Sequence, residues 1–295
     1  MKIAVLLFGH LRNFETCADS LRENVLDRYD CDLFMHTWDE RDVKTKTWHQ
    51  QICEPTLFDK EVVGKLIQEK YAPKAYEITH QEKWEYEQLI QSSFRSEYQF
   101  STAGMHFLML SMNIANELRH KYERENNVQY DYVLVTRPDI QFHNYFDIGR
   151  VIEQAKCYGL DLNMTRFYAY HISNSHSSIA TLLDSASDVL FFAYPNVIDR
   201  FIEVNKNIDV EYAKNHSLGI NSIFVCREIE CGIMPIPIGY VCGYDWSFSA
   251  QRIDGEQPKP QSRSTIKSAI IMMTRVLLAP ISYIFHKYPG VNIYK

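Results

Sequence analysis

Three stretches of this sequence run apolar almost without interruption and then stop in charged residues: KIAVLLFGHLR (Lys2 to Arg12), CDLFMHTWDE (Cys31 to Glu40) and YDYVLVTRPDIQF (Tyr130 to Phe142). A strand with one solvated face alternates apolar and polar residues. A strand covered on both faces does not, and such strands belong to parallel sheets sandwiched between helices. Between the first two, Asn13 to Tyr29 repeats with helical period and sets Phe14, Cys17, Leu21, Val25 and Leu26 on one side. Strand, helix and strand within about 40 residues make a βαβ unit with parallel strands. The expected fold is therefore α/β, a Rossmann-like, mostly parallel central sheet flanked by helices.

In such sheets ligands bind outside the carboxyl ends of the strands. The three strands deliver Gly9, His10 and Arg12, then His36 and Asp39, then Arg137 and Asp139 to one edge. Pro138 lies between the last two and stops the ladder. An arginine there offers a planar fork for phosphate oxygens, and an aspartate can meet a metal or hydroxyls. The alternative is an Arg–Asp pair with no ligand. His10 and His36 could contact phosphate or exchange protons; no HxH or HExxH spacing favours a metal site. Asp39 could accept hydrogen bonds from a base or ribose, or cap the turn after it.

Elsewhere the pattern is coarser. Residues 41–100 are polar and aromatic, with Glu61–Tyr71 helical and Ala75–Ile78 a short strand, and read as an insertion that shapes the site. Its aromatic group Trp84, Tyr86, Phe94, Tyr98 and Phe100 suits an acceptor wall or core packing equally. Ser101–Glu125 is the longest helix, with Phe107, Leu108, Leu110, Met112, Ile114, Ala115 and Leu118 on its buried side, stopped by Asn126 and Asn127. Next come a helix near Phe146–Ala155, a strand at Arg166–His171, and SDVLFFAYPNVIDRFIEV (Ser187–Val204) as buried strand and Pro-started helix. Helical Leu218–Arg227 leads to Ile233–Trp246, whose prolines point to a sheet edge.

Residues 1–250 form the expected main domain, 251–264 a linker and 265–295 a carboxyl-terminal amphipathic helix. Ser268–Phe285 (SAIIMMTRVLLAPISYIF) is apolar but carries Arg275 centrally and Pro280. Spanning a bilayer takes about 20 apolar residues, and a central charge is costly there. Peripheral membrane contact through 265–290 and packing on the protein's own core both remain open.

A net charge of −6 shows no basic excess, which argues against nucleic-acid binding. Seven scattered cysteines without a CxxC, and a strand beginning at the amino terminus with no leader, read as a cytoplasmic protein with reduced thiols.

The opening LLFGHLRNFETC, the second strand closing in HTWD, the YDYVLVTRPDI strand and the SDVLFFAYPNVIDRF segment occur in that order. Together they resemble bacterial glycosyltransferase-like proteins of capsule, lipooligosaccharide and O-antigen (lipopolysaccharide) assembly, over roughly residues 1–40 and 100–205. The resemblance implies a GT-A-like fold, a nucleotide-sugar donor and a growing surface glycan, oligosaccharide or lipid-linked, as acceptor; with the 265–290 segment, a place peripheral to the inner membrane is left open. It places the Phe8-Gly9-His10-Arg12 turn under the nucleotide, Asp139 where a carboxylate meets a metal or the donor ribose, and Asp188 beside a sugar. Arg137-Pro138-Asp139 offers one carboxylate where a DxD motif offers two. A divalent cofactor, Mn²⁺ or Mg²⁺, on Asp139 is thus left open, and Arg137 or Arg12 can neutralise the diphosphate instead.

Glycosyl transfer passes through an oxocarbenium-like transition state and, with inversion, needs a base for the acceptor hydroxyl. Asp188, Asp139 and Asp245 are the candidate bases. Asp188 reads equally as a cap, and Asp245, between Tyr244 and Trp246, as a turn residue. Two other readings stand beside the glycosyltransferase: a phospho-group transferase acting on surface sugars, and a non-catalytic scaffold of a polysaccharide-assembly complex.

Overall fold

The computed structural model describes residues 1–41, 57–80, 102–170, 186–206, 220–242 and 244–248. Its centre is a seven-stranded sheet of order β3-β2-β1-β4-β7-β6-β8. The strands are β1 (Lys2–Phe8), β2 (Asp30–Trp38), β3 (Ala75–Thr79), β4 (Tyr132–Thr136), β6 (Thr165–Tyr170), β7 (Ala186–Ala193) and β8 (Met234–Val241). All run parallel except β7, which is antiparallel to both β4 and β6. A two-stranded sheet pairs β5 (Ile140–Phe142) with β9 (Trp246–Phe248).

Both faces of the sheet are buried, and alternation along β1 shows how. Ile3, Val5 and Leu7 join one apolar layer and Ala4, Leu6 and Phe8 the other. The first layer is closed by α1 (Phe14–Leu21, continued by a π-helical turn, Arg22–Leu26), α2 (Lys60–Tyr71) and α4 (Ile148–Cys157). The second is closed by α3 (Thr102–Asn126), α5 (Pro195–Asn205) and α6 (Ile220–Glu230). The result is a three-layer sandwich, so the continuous apolar runs of β1, β2 and β4 reflect two covered faces.

Local chemistry sets the helix ends. Asp59 accepts from the backbone N–H groups of Glu61 and Val62 at 2.9 and 3.2 Å and so caps α2. Asp147 does the same for α4 through Arg150 N–H at 3.0 Å. Pro195 occupies the first turn of α5, where its missing N–H costs nothing. Asn127, at φ +51°, ends α3 in the left-handed region that asparagine tolerates. Pro235 and Pro237 lie on β8, the last strand in the order. Being two apart, they lose their donors on the same side of the strand, as an edge permits.

Two expectations change. Residues 60–79 are not an insertion: α2 and β3 extend the sheet, with β3 paired to β2 from Phe34↔Ala75 to Trp38↔Thr79. The buried side of α3 is also more polar than its periodicity implies. It carries Ser111, Asn116 and Arg119 beside Phe107, Met109, Met112 and Ala115, whereas Leu108, Leu110, Ile114 and Leu118 are only partly covered. The 84–100 aromatic group, the 251–264 linker and the 265–295 helix lie outside the described residues. Among the described residues no helix is long and apolar enough to cross a membrane.

Candidate functional site

Register brings the parallel strands to one level. Phe8 pairs with His36, Leu7 with Thr136 and Trp38 with Thr79, so β1 to β4 stop together. The residues just beyond each strand therefore share one rim: Gly9–Arg12, Asp39–Arg41, His80 and Arg137–Asp139. Gly9 turns the chain at φ +94°, and its N–H donates to Ser111 Oγ on α3 at 2.8 Å. Arg12 adopts φ +47°, an uncommon conformation for a residue with a Cβ. Two bonds hold it there: Arg12 N–H to the Arg41 carbonyl (3.1 Å) and Arg41 Nε–H to the Arg12 carbonyl (3.2 Å). The loops after β1 and β2 are thereby latched to each other.

The centre of the rim is one carboxylate held by two guanidinium groups. Arg12 Nη1 donates to Asp139 Oδ2 at 2.6 Å. Arg137 reaches both oxygens, Nε to Oδ1 at 2.8 Å and Nη2 to Oδ2 at 2.5 Å. The Asp139 side chain is 2% exposed, while those of Arg12 and Arg137 keep 24% and 17%. Arg137 also stacks over the Phe248 ring at 5.4 Å. Among the described residues two cations grip this one anion, and both arginines keep part of their surface open. Planar guanidinium groups in a fixed arrangement suit the oxygens of a phosphate or diphosphate.

The same geometry argues against two of the roles expected for Asp139. Both its oxygens already accept charge-assisted bonds, so it is a weak proton acceptor and a poor metal ligand. Among the described residues no group of three or more His, Cys, Asp or Glu side chains could hold a metal ion. Among the described residues, then, the donor set of this rim does not fit a divalent ion.

The other candidates divide. His10 is partly buried beside Trp38, ring centroids 6.5 Å apart, at the rim. Phe8 is 1% exposed and packs in the α3 layer rather than at the surface of the rim. His36 points the same way as Phe8 and is fully buried. Its Nδ1 lies 2.7 Å from Ser111 Oγ and its Nε2 2.9 Å from Thr79 Oγ1. Burial pushes its pKa down to about 3, so it is neutral and internal, tying β2 to α3 and β3. Asp188 lies near the start of β7, two residues before Leu190, the partner of Thr136, and so at the rim level.

Asp245 is not brought to the rim. It precedes β9 at the end where Phe142 pairs with Trp246, whereas Asp139 precedes the opposite end, where Ile140 pairs with Phe248. Roughly four strand residues, about 13 Å, separate the two levels. There Asp245 closes a turn: its carbonyl accepts from His143 N–H (2.8 Å) and Asn144 N–H (3.2 Å), and its Oδ1 from Asn144 Nδ2 (3.1 Å).

Asp39 is where a missed residue enters. Its side chain is 11% exposed and meets His80 Nδ1 with both oxygens, at 3.2 and 3.1 Å, with Lys60 Nζ at 3.5 Å from Oδ2. His80 comes directly after β3, so the strand-end signal that singled out Arg12, Asp39 and Arg137 applies to it equally. Reading its neighbourhood as an insertion hid it. The chain matches no model of a known protein family, and none of the curated proteins matches it either.

Proposed function

We propose that this chain is a GT-A-like glycosyltransferase that moves a sugar from a nucleotide-sugar donor onto a growing bacterial surface glycan. The observation that carries the reading is the Arg12–Asp139–Arg137 cluster, two partly open guanidinium groups held by one carboxylate at the carboxyl rim of a mostly parallel sheet. The sheet order, with a single reversed strand between parallel ones, is compatible with a GT-A-like arrangement. The motif resemblance supplies the surface-glycan acceptor.

In this reading the donor's diphosphate lies against Arg12 and Arg137. As the bond from the sugar to the diphosphate lengthens, negative charge grows on the leaving oxygen and the fixed guanidinium groups stabilise it. Asp139 is a positioning residue: it holds both arginines in place. Because the cations are supplied by side chains, binding of the diphosphate needs no Mn²⁺ or Mg²⁺.

Thermal melting with UDP, GDP, CMP or dTDP, each with Mn²⁺ and with EDTA, tests this. Ligand that binds only the native state raises the melting point. The expected result is a rise with one nucleotide that survives EDTA and is lost in Arg137→Ala. No rise with any nucleotide would sink the proposal. The same arginines would serve any phosphate-bearing donor, so a phospho-group transferase is the second reading. Nucleotide binding without turnover of any nucleotide sugar would favour it.

A further inference from the structure

Glycosyl transfer with inversion needs a group that removes the acceptor's proton, and two of the three expected bases, Asp139 and Asp245, do not supply one at the rim. Asp139 is bonded through both oxygens to arginine, and Asp245 closes a turn at the far end of β9. The Asp39–His80 pair is of a different kind. A nearly buried carboxylate holds Nδ1 of an imidazole whose side chain is 57% exposed. The other ring nitrogen, Nε2, has no protein partner among the described residues. A carboxylate that fixes the tautomer of a histidine and stabilises its protonated form is the arrangement by which histidine becomes an effective base.

Position agrees with that role. Arg12 follows β1 and His80 follows β3, and the ends of those two strands lie two inter-strand spacings apart, or about 10 Å. A phosphate bonded to one side of a sugar carbon and an attacking hydroxyl on the other fill about that length, with hydrogen bonds of about 2.8 Å at the ends and a gap of about 3 Å between reacting atoms.

We infer that His80, oriented by Asp39, is the base that takes the proton from the attacking acceptor hydroxyl, and that transfer therefore inverts the donor's anomeric carbon. This rests on the donor reading proposed for the same rim. The hydroxyl oxygen forms the new bond to the anomeric carbon, and the bond from that carbon to the diphosphate oxygen breaks. The electron pair leaves with the diphosphate against Arg12 and Arg137, and the proton passes to His80 Nε2 and then to water. Among the described residues the charged groups that face His80 are Asp39 and, across Asp39, Lys60.

The experiment compares the full-length protein with His80→Gln and Asp39→Asn, using the nucleotide found by melting and the corresponding nucleotide sugars with water as acceptor. Expected for His80→Gln is unchanged stabilisation by the nucleotide, a kcat lower by about 100-fold or more, and loss of the acidic limb of the pH profile. Asp39→Asn removes the carboxylate that orients the ring, so it should lower kcat in the same direction with nucleotide stabilisation unchanged. The released sugar should carry the inverted configuration. A His80→Gln enzyme with wild-type kcat and an intact acidic limb, or one that loses nucleotide stabilisation, overturns the base assignment alone. A wild-type protein that neither binds nor hydrolyses any nucleotide sugar overturns the donor reading and this one with it.

Discussion

Asp139 and Glu228 are both carboxylates gripped by arginine, yet their surroundings differ in every respect that bears on ligand binding. Glu228, on α6, takes two bonds from Arg166 of β6, Nε to Oε1 and Nη2 to Oε2, the latter at 2.6 Å. The two side chains are 0% and 2% exposed. The guanidinium is stacked among Tyr168, Phe191 and Phe201, at 5.6, 4.7 and 4.8 Å. Among the described residues that pair is one arginine to one carboxylate, and it is sealed; burial pushes the Glu228 carboxyl up, against the opposing pull of Arg166. At the rim, two arginines share one carboxylate and keep part of their surface open. A sealed interior pair and an open rim cluster can thus use the same two residue types. Stoichiometry and exposure, not identity, separate them.

Breaking the sealed pair should do the most damage. Glu228→Gln strands a buried cation and should cost about 3–5 kcal/mol in urea denaturation. Replacing both partners with apolar residues of similar volume should recover most of that loss. If Glu228→Gln proves near neutral, the interior pair is less closed than its burial indicates.

His36 extends the contrast from another side, because it is sealed like Glu228 but lies just beneath the rim. Its folded pKa is about 3, well below the ordinary 6.5. The unfolded chain therefore binds the extra proton first as pH falls, and folding free energy is lost below about pH 6.5 at about 1.4 kcal/mol per unit. Between about pH 7 and pH 5 this one group should remove about 2 kcal/mol, and His36→Gln should flatten that slope. An unchanged slope would mean that the imidazole reaches water.

At the rim the effects move from stability to binding. Arg137→Ala should change folding by about 1 kcal/mol, since Arg12 still neutralises Asp139, but weaken nucleotide binding by about 10- to 100-fold. Equal losses in stability and affinity would erase the distinction between the two clusters. The mildest change belongs to the backbone. An alanine at Gly9 meets no atom within 4 Å, so only its φ of +94° resists substitution. Gly9→Ala should cost about 1 kcal/mol in melting experiments, with a matching loss of nucleotide stabilisation if the turn positions Arg12.

Much of the frame was readable in the residues. The runs at Lys2, Cys31 and Tyr132 are buried on both faces, and the crossover rule puts their ends together. That is why Arg12 and Asp139, far apart in the chain, meet. Strand β3 was harder. AYEIT is half exposed at the sheet edge and lacks an apolar run, so it passed for part of an insertion and took His80 with it. The direction of β7 left no trace, because a strand covered on both sides looks the same whichever way it runs. Asp245 misled because GYDWSF does not reveal that β9 runs back along β5. His36 carried a usable clue: it shares parity with Phe34, which faces α3, and a histidine in that row faces inward too.

The reversal of β7 has a consequence for how such a protein can change. With β6 ending and β7 beginning at the same rim, both strands open toward the level where Arg12, Arg137 and Asp139 lie. Substitutions at those two strand ends can therefore reshape that part of the rim without moving the arginine cluster after β1 and β4.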